Sequence, residues 1–136
     1  MTPDITTYIP QRHPFVMVDT VLRADEHIAE TNFTIKSDNI FVQNGFFTEP
    51  GLVENMAQTG AAGVGYRASL LGIPPSVGYI GALKNLSIIR LPKINDTLRS
   101  EITWEHRIMQ AHVVAGKIFV NDQLIASCEM KIFVKE

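Results

Sequence analysis

Glu54 is the residue of this chain whose position most needs a chemical explanation. It falls in P-G-L-V-E-N-M-A-Q (residues 50–58), one turn into an otherwise apolar helical stretch. An unpaired charge there is expensive, so the carboxylate must lie in a polar pocket, reach the surface, or be satisfied as a structural hydrogen bonder. In a pocket it is a candidate for proton transfer. Gln58 follows at i+4 on the same face. It can orient Glu54, or it can be a core amide tying the helix to a strand. The four histidines offer no pair with metal-ligand spacing on a recognisable element, so no metal is expected. His27 sits in a polar turn with Asp25 and Glu26, while His106 and His112 flank a predicted hairpin around Ile108 to Ala111 and read as solvated. Cys128 falls on the apolar face of the last strand, away from any helix start or local base. It reads as a small core residue, not a nucleophile.

The elements that must position these groups are one helix and a set of strands. Pro3, Pro10 and Pro14 leave room only for short helical turns at the start. Phe15 to Leu22 and Ile28 to Ile35 read as strands, followed by a polar and aromatic loop from Ser37 to Glu49. The spacing predicts a long helix over Gly51 to Leu71, with Glu49 and Pro50 suiting its start and Gly72, Pro74 and Pro75 stopping it. Gly60, Gly63 and Gly65 would each weaken a solvated helix by roughly 1 kcal/mol, so something must pack closely against its backbone. Val77 to Leu91 reads as a long strand with a bend near Gly81. Thr97 to Trp104 and Ala111 to Val120 follow, then a turn at Asn121-Asp122-Gln123 and a final alternating strand, Leu124 to Val134. Two strands, one helix and a four-strand meander make an α+β domain in which an antiparallel sheet covers a single helix.

Composition sets the outer bounds. The chain has 136 residues, 46% hydrophobic and 19% charged, which predicts one soluble domain spanning 1–136 with an apolar surplus favouring an oligomer. A net charge of −2 without a basic run argues against nucleic-acid binding. One cysteine excludes an internal disulfide framework. Short apolar runs and a start without a basic, then apolar, leader predict no membrane span, no signal peptide and a cytoplasmic location.

Four motifs, in order along nearly the whole chain, carry a resemblance. Ile9-Pro10-Gln11-Arg12-His13-Pro14-Phe15-Val16-Met17-Val18-Asp19 is similar to the L-P-H-R-x-P-F-L-x-V-D opening of the 3-hydroxyacyl-[acyl-carrier-protein] dehydratases of fatty-acid synthesis. Pro50-Gly51 with Glu54-Asn55-Met56-Ala57-Gln58 resembles that family's P-G followed by E-A-M-A-Q. The stretch I-R-L-P-K-I-N-D-T-L within Lys84 to Leu98, and Val120 to Ala126, resemble its later motifs. The resemblance implies the hotdog fold, an antiparallel sheet wrapped around one long central helix. Two departures stand out. The family's loop histidine is absent from N-G-F-F-T-E-P-G-L-V-E, and Glu54 follows Gly51 by three positions instead of five. These resemble the divergent dehydratase-like proteins of aryl-polyene and related pigment pathways.

The resemblance implies a reaction: loss of a proton alpha to a thioester and departure of the 3-hydroxyl as water. It assigns acid or water-positioning work to Glu54, leaves the base without its usual residue, and makes His13 the replacement candidate; the alternative is a histidine packed between Pro10 and Pro14. Helix-start N–H groups near Gly51 would polarise the thioester carbonyl. Phe41, Phe46, Phe47 and Tyr66 are candidates to line an acyl tunnel or to be core. The implied partners are an acyl carrier protein, whose phosphopantetheine bears the substrate with no dissociable cofactor, and a second hotdog subunit in a homodimer or heterodimer. Three functions compete: a dehydratase, a half-site subunit borrowing its histidine from a partner, and an acyl-thioester hydrolase using the helix carboxylate alone.

Overall fold

The computed structural model describes residues 4–75 and 77–135. Pro3 lies outside them, as do the side chains of Val77 and Val134, which bounded two of the expected strands. Thr48, in extended conformation, precedes α1 (Glu49–Leu71). The helix starts two residues before the predicted Gly51 because Glu49 and Pro50 form its first turn: the acid meets the positive end of the dipole, and proline lacks an N–H that would go unused. It stops at Gly72, whose left-handed φ of 66° lets its N–H reach the Ala68 and Ser69 carbonyls.

Among the described residues, six strands form one antiparallel sheet: β1 (Thr20–Ala24), β2 (Ile28–Thr34), β5 (Val77–Ile88), β6 (Thr97–Ile108), β7 (Ala111–Val120) and β8 (Gln123–Lys135). Their order is β1-β2-β6-β7-β8-β5, so β1 and β5 are the edges. The strand expected over Thr97 to Trp104 is the first part of β6, where Leu98, Ser100 and Ile102 alternate with more exposed neighbours and are fully buried. With Val114, Ile118 and Met130, Leu98 and Ile102 join Leu52 and Met56 of α1 in the main core. The close approach predicted from the helical glycines has two sources. A Cβ on Gly63 would lie 2.6 Å from the Ala29 Cβ of β2, whereas one on Gly65 would fall on the Tyr8 backbone carbonyl. Gly60 differs, because its nearest atoms, from Ile132 and Ile102, stand 3.7 Å or more away.

Two expectations change. The chain from Phe15 does not run as a strand until Thr20, because the Met17 N–H and carbonyl bond to the side chains of Gln58 and Asn55 instead of to a ladder. The loop from Ser37 to Glu49 contains a small hairpin, β3 (Val42–Gln43) and β4 (Phe46–Phe47), whose turn residues Asn44 and Gly45 both have positive φ. The bend near Gly81 is a register shift between Ile80 and Ala82, where a side chain on Gly81 would strike the Phe133 ring. Edge strand β5 carries Tyr79 and Leu83, 61% and 39% exposed, and Ile89 just beyond it is 65% exposed. Unpaired backbone beside exposed apolar side chains is the usual mark of a strand that pairs with another chain. Among the described residues no helix is long and apolar enough to cross a membrane.

Candidate active site

The site begins with how the N-terminal segment is fixed to α1. Asp4 caps a short 3-10 turn, Ile5–Thr7, by accepting the Thr6 N–H. The Arg12 guanidinium then donates to the carbonyls of Ile9 and Gln11, both at 2.8 Å, which holds the backbone of this turn. Further on, the Gln58 Oε1 accepts the Met17 N–H at 2.7 Å and its Nε2 donates to the Phe15 carbonyl at 2.7 Å. Asn55 donates to the Met17 carbonyl at 2.7 Å and accepts from Ser100 on β6 at 2.5 Å. Both amides are fully buried. The polar face of the helix is thus spent on fixing an extended segment across it.

Gln58 also donates to Glu54 Oε2 at 3.2 Å. Gln58 thus ties the helix to the extended segment at Phe15 and Met17, which is not a strand, and is also hydrogen-bonded to the carboxylate. Glu54 is half-buried and borders two hollows. One is a cavity of about 210 Å³ between α1, β5 and β6, walled by Gln11, Ala61, Val64, Tyr79, Ile80 and Trp104. The other is a shallower groove at the helix start, walled by Phe41, Pro50 and Val53. Glu54 and Ala57 border both, so the carboxylate stands where the two meet. A mostly apolar cavity with few polar groups converging on it is the general form of a small-molecule site.

The structure does not bring the other sequence candidates to that point. His13 is exposed and lines a separate polar depression with Asp19, Lys36 and Asp38. Gly51 is buried beneath Phe47, whose ring a Cβ would meet at 2.5 Å, and its N–H is taken by the Thr48 carbonyl at 3.0 Å. That amide is engaged within the chain, not directed at the cavity. Phe47 is fully buried against Phe33 and Phe41 as core, and Phe46 lies 42% exposed on the hairpin. Tyr66 packs edge-on against Tyr8, with ring centroids 5.5 Å apart, and does not wall the cavity. Phe41 alone of the four aromatics borders Glu54, on the groove side.

The residues that do wall the cavity were missed because they come from the N-terminal segment, α1, β5 and β6, which lie far apart in sequence. Gln11 carried one available signal: a polar residue between Pro10 and Arg12 in a segment that must lie on an apolar helix. Its Oε1 is buried and, among the described residues, is the one buried side-chain oxygen or nitrogen without a hydrogen-bond partner. Trp104 is braced from behind by His112, edge to face at 5.5 Å. Burial, with a contribution from Arg107, pushes the His112 imidazole below its ordinary pKa, so it is less solvated than the hairpin reading implied. Cys128 is buried 3.6 Å from the Met56 sulfur, and burial with nearby Glu129 pushes its thiol up to about 11, as suits a core residue. His27 and His106 are exposed, and among the described residues no three His, Cys, Asp or Glu side chains lie together as a metal site.

A six-strand antiparallel sheet around one helix, with a helix carboxylate opening on an apolar cavity beside the sheet edge, defines a hotdog-fold protein with a candidate acid–base site. The model of the ApeP-like dehydratases matches residues 3–136, and the chain belongs to that family. It is 32% identical over 114 residues to the 3-hydroxyacyl-[acyl-carrier-protein] dehydratase FabZ of Ligilactobacillus salivarius, covering 75% of each chain. Its fold matches a chain of the dehydratase heterocomplex ApeI:P from Xenorhabdus doucetiae with a TM-score of 0.85 at 13% identity, covering 100% of this chain and 93% of that one. It also matches a hypothetical thioesterase protein with coenzyme A from Streptococcus pneumoniae TIGR4, with a TM-score of 0.68 at 13% identity over 85% and 84% of the two chains.

Proposed function

We propose that this chain dehydrates a 3-hydroxyacyl thioester carried on the phosphopantetheine arm of an acyl carrier protein, with Glu54 as the proton-transferring carboxylate. The observation that carries this reading is Glu54 itself, hydrogen-bonded by Gln58 and opening on the apolar-walled cavity beneath β5. In the reaction a base removes the proton alpha to the thioester carbonyl, the double bond forms, and the 3-hydroxyl leaves as water with a proton from the carboxyl of Glu54. Proton transfers suffice for these steps, and no dissociable cofactor is required.

The base is supplied from a second hotdog chain. No histidine walls the cavity among the described residues, and the hairpin before α1 reads Asn44-Gly45-Phe46-Phe47. Strand β5 is both a wall of the cavity, through Tyr79 and Ile80, and an exposed apolar edge. A strand paired to that edge brings its own side chains to the cavity mouth. The second chain is another copy or a different hotdog subunit, and the absent loop histidine favours the different one. The test is formation of enoyl thioester by the purified chain, alone and co-expressed with a hotdog subunit that carries the loop histidine. Enoyl product that appears only in the mixed assembly and is lost with Glu54→Gln supports the reading. Free acid released without enoyl product would make the chain a hydrolase.

A further inference from the structure

We infer that Gln11 recognises the 3-hydroxyl of the substrate, accepting its O–H as a hydrogen bond and turning the oxygen lone pairs toward Glu54. The inference takes the hydroxyacyl class from the function proposed above. Its basis is an imbalance in the cavity wall. Gln11 Oε1 is screened from solvent and unpartnered among the described residues, while every other buried side-chain oxygen or nitrogen of those residues is satisfied. A buried acceptor without a donor is unfavourable and is normally removed or paired.

The position of Gln11 is held from several sides. Arg12 fixes its carbonyl, and Gln58 and Asn55 anchor the chain at Phe15 and Met17. The side chain then lines the same cavity as Glu54, and no donor of the described residues is hydrogen-bonded to its Oε1. Glu54 does not supply the donor: its side chain is hydrogen-bonded by Gln58, and the proton its carboxyl carries in the reaction is the one the departing hydroxyl takes. A donor must therefore arrive with the ligand. At its reacting end a 3-hydroxyacyl thioester has one O–H; its amide N–H groups lie beyond the sulfur on the pantetheine arm. A hydroxyl that donates to Gln11 leaves its lone pairs free to take the proton from the Glu54 carboxyl, which is the arrangement departure as water requires. The enoyl product has no such donor, so the same contact favours substrate over product. A 3-oxoacyl thioester would place an acceptor against an acceptor and be rejected.

The test uses two unreactive pantetheine amides of equal chain length, one 3-hydroxyacyl and one saturated, in which nitrogen replaces the thioester sulfur. Calorimetry on the assembled wild-type protein should show the hydroxylated analogue binding about tenfold more tightly. Gln11→Leu should abolish that preference, leave the saturated analogue's affinity within about twofold, and leave the thermal midpoint unchanged or raised. A preference that survives the substitution, or equal losses for both analogues with a fallen midpoint, would overturn the inference. Turnover of the real thioester by wild type, measured alongside, keeps the two proposals apart. Absence of enoyl product with the hydroxyl preference intact removes dehydration and leaves the Gln11 contact standing.

Discussion

Gln58 donates to Glu54 at 3.2 Å across one helical turn, and the same amide holds the Met17 N–H and the Phe15 carbonyl at 2.7 Å each. One buried side chain therefore couples the carboxylate to the segment that carries Gln11. Replacing it with an apolar residue of similar volume leaves two buried backbone groups unpaired, so Gln58→Leu should lose about 2–4 kcal/mol in urea unfolding. A loss under about 0.5 kcal/mol, the scale of an ordinary surface change, would show that the amide does not anchor this segment.

The helical glycines predict opposite signs for one substitution. At Gly65 a methyl group falls on the Tyr8 carbonyl, which is backbone and cannot swing aside, so Gly65→Ala should destabilise by about 1–3 kcal/mol. At Gly60 the nearest atoms stand 3.7 Å or more away, so Gly60→Ala should stabilise by about 0.5–1 kcal/mol through helix propensity. Thermal or urea unfolding of the pair checks both signs. Gly60 also borders the cavity beside Glu54, so its methyl should raise KM for the substrate while stabilising the fold.

His112 gives a pH signature. Burial lowers its folded-state pKa below the unfolded 6.5, so the unfolded chain binds the proton more readily. Stability that is full above pH 6.5 should fall as the pH drops below it, levelling once the folded imidazole is also charged. His112→Gln should flatten that part of a urea-midpoint profile between pH 7 and pH 5. An unchanged slope in the variant would place the proton uptake elsewhere.

Much of the fold was legible because its signals are local. The Pro50 start and Gly72 stop of α1, the alternation on β6, and the Asn121-Asp122 turn, both residues at positive φ, are written in adjacent residues. The segment before Thr20 misled because Phe15 to Leu22 has strand composition, while its hydrogen bonds go to Gln58 and Asn55, about forty positions on. The candidate site was half legible. Glu54 and Gln58 declared themselves by type and i+4 spacing. Gln11, Trp104 and Tyr79 come together only when α1, β5, β6 and the N-terminal segment pack, and no pattern along the chain marks that meeting. Of the aromatic residues near the helix start, Phe47 was drawn into the core because Gly51 leaves room beneath α1 for its ring.

The exposed edge predicts an assembly. Leu83 and Ile89 are exposed near β5 and do not wall the cavity. Leu83→Glu with Ile89→Glu should shift the protein from dimer to monomer in light scattering and abolish turnover without unfolding the chain. A variant that stays dimeric would place the interface elsewhere.

The most direct measurement of the central claim is enoyl thioester formed from a 3-hydroxyacyl carrier protein by the assembled protein, with Glu54 and then with Glu54→Gln. The substitution preserves size and the contact with Gln58 while removing the transferable proton, so the rate should fall at least ~100-fold with the thermal midpoint retained. Turnover that survives in the folded Glu54→Gln protein would contradict the assignment of Glu54 as the proton-transferring group.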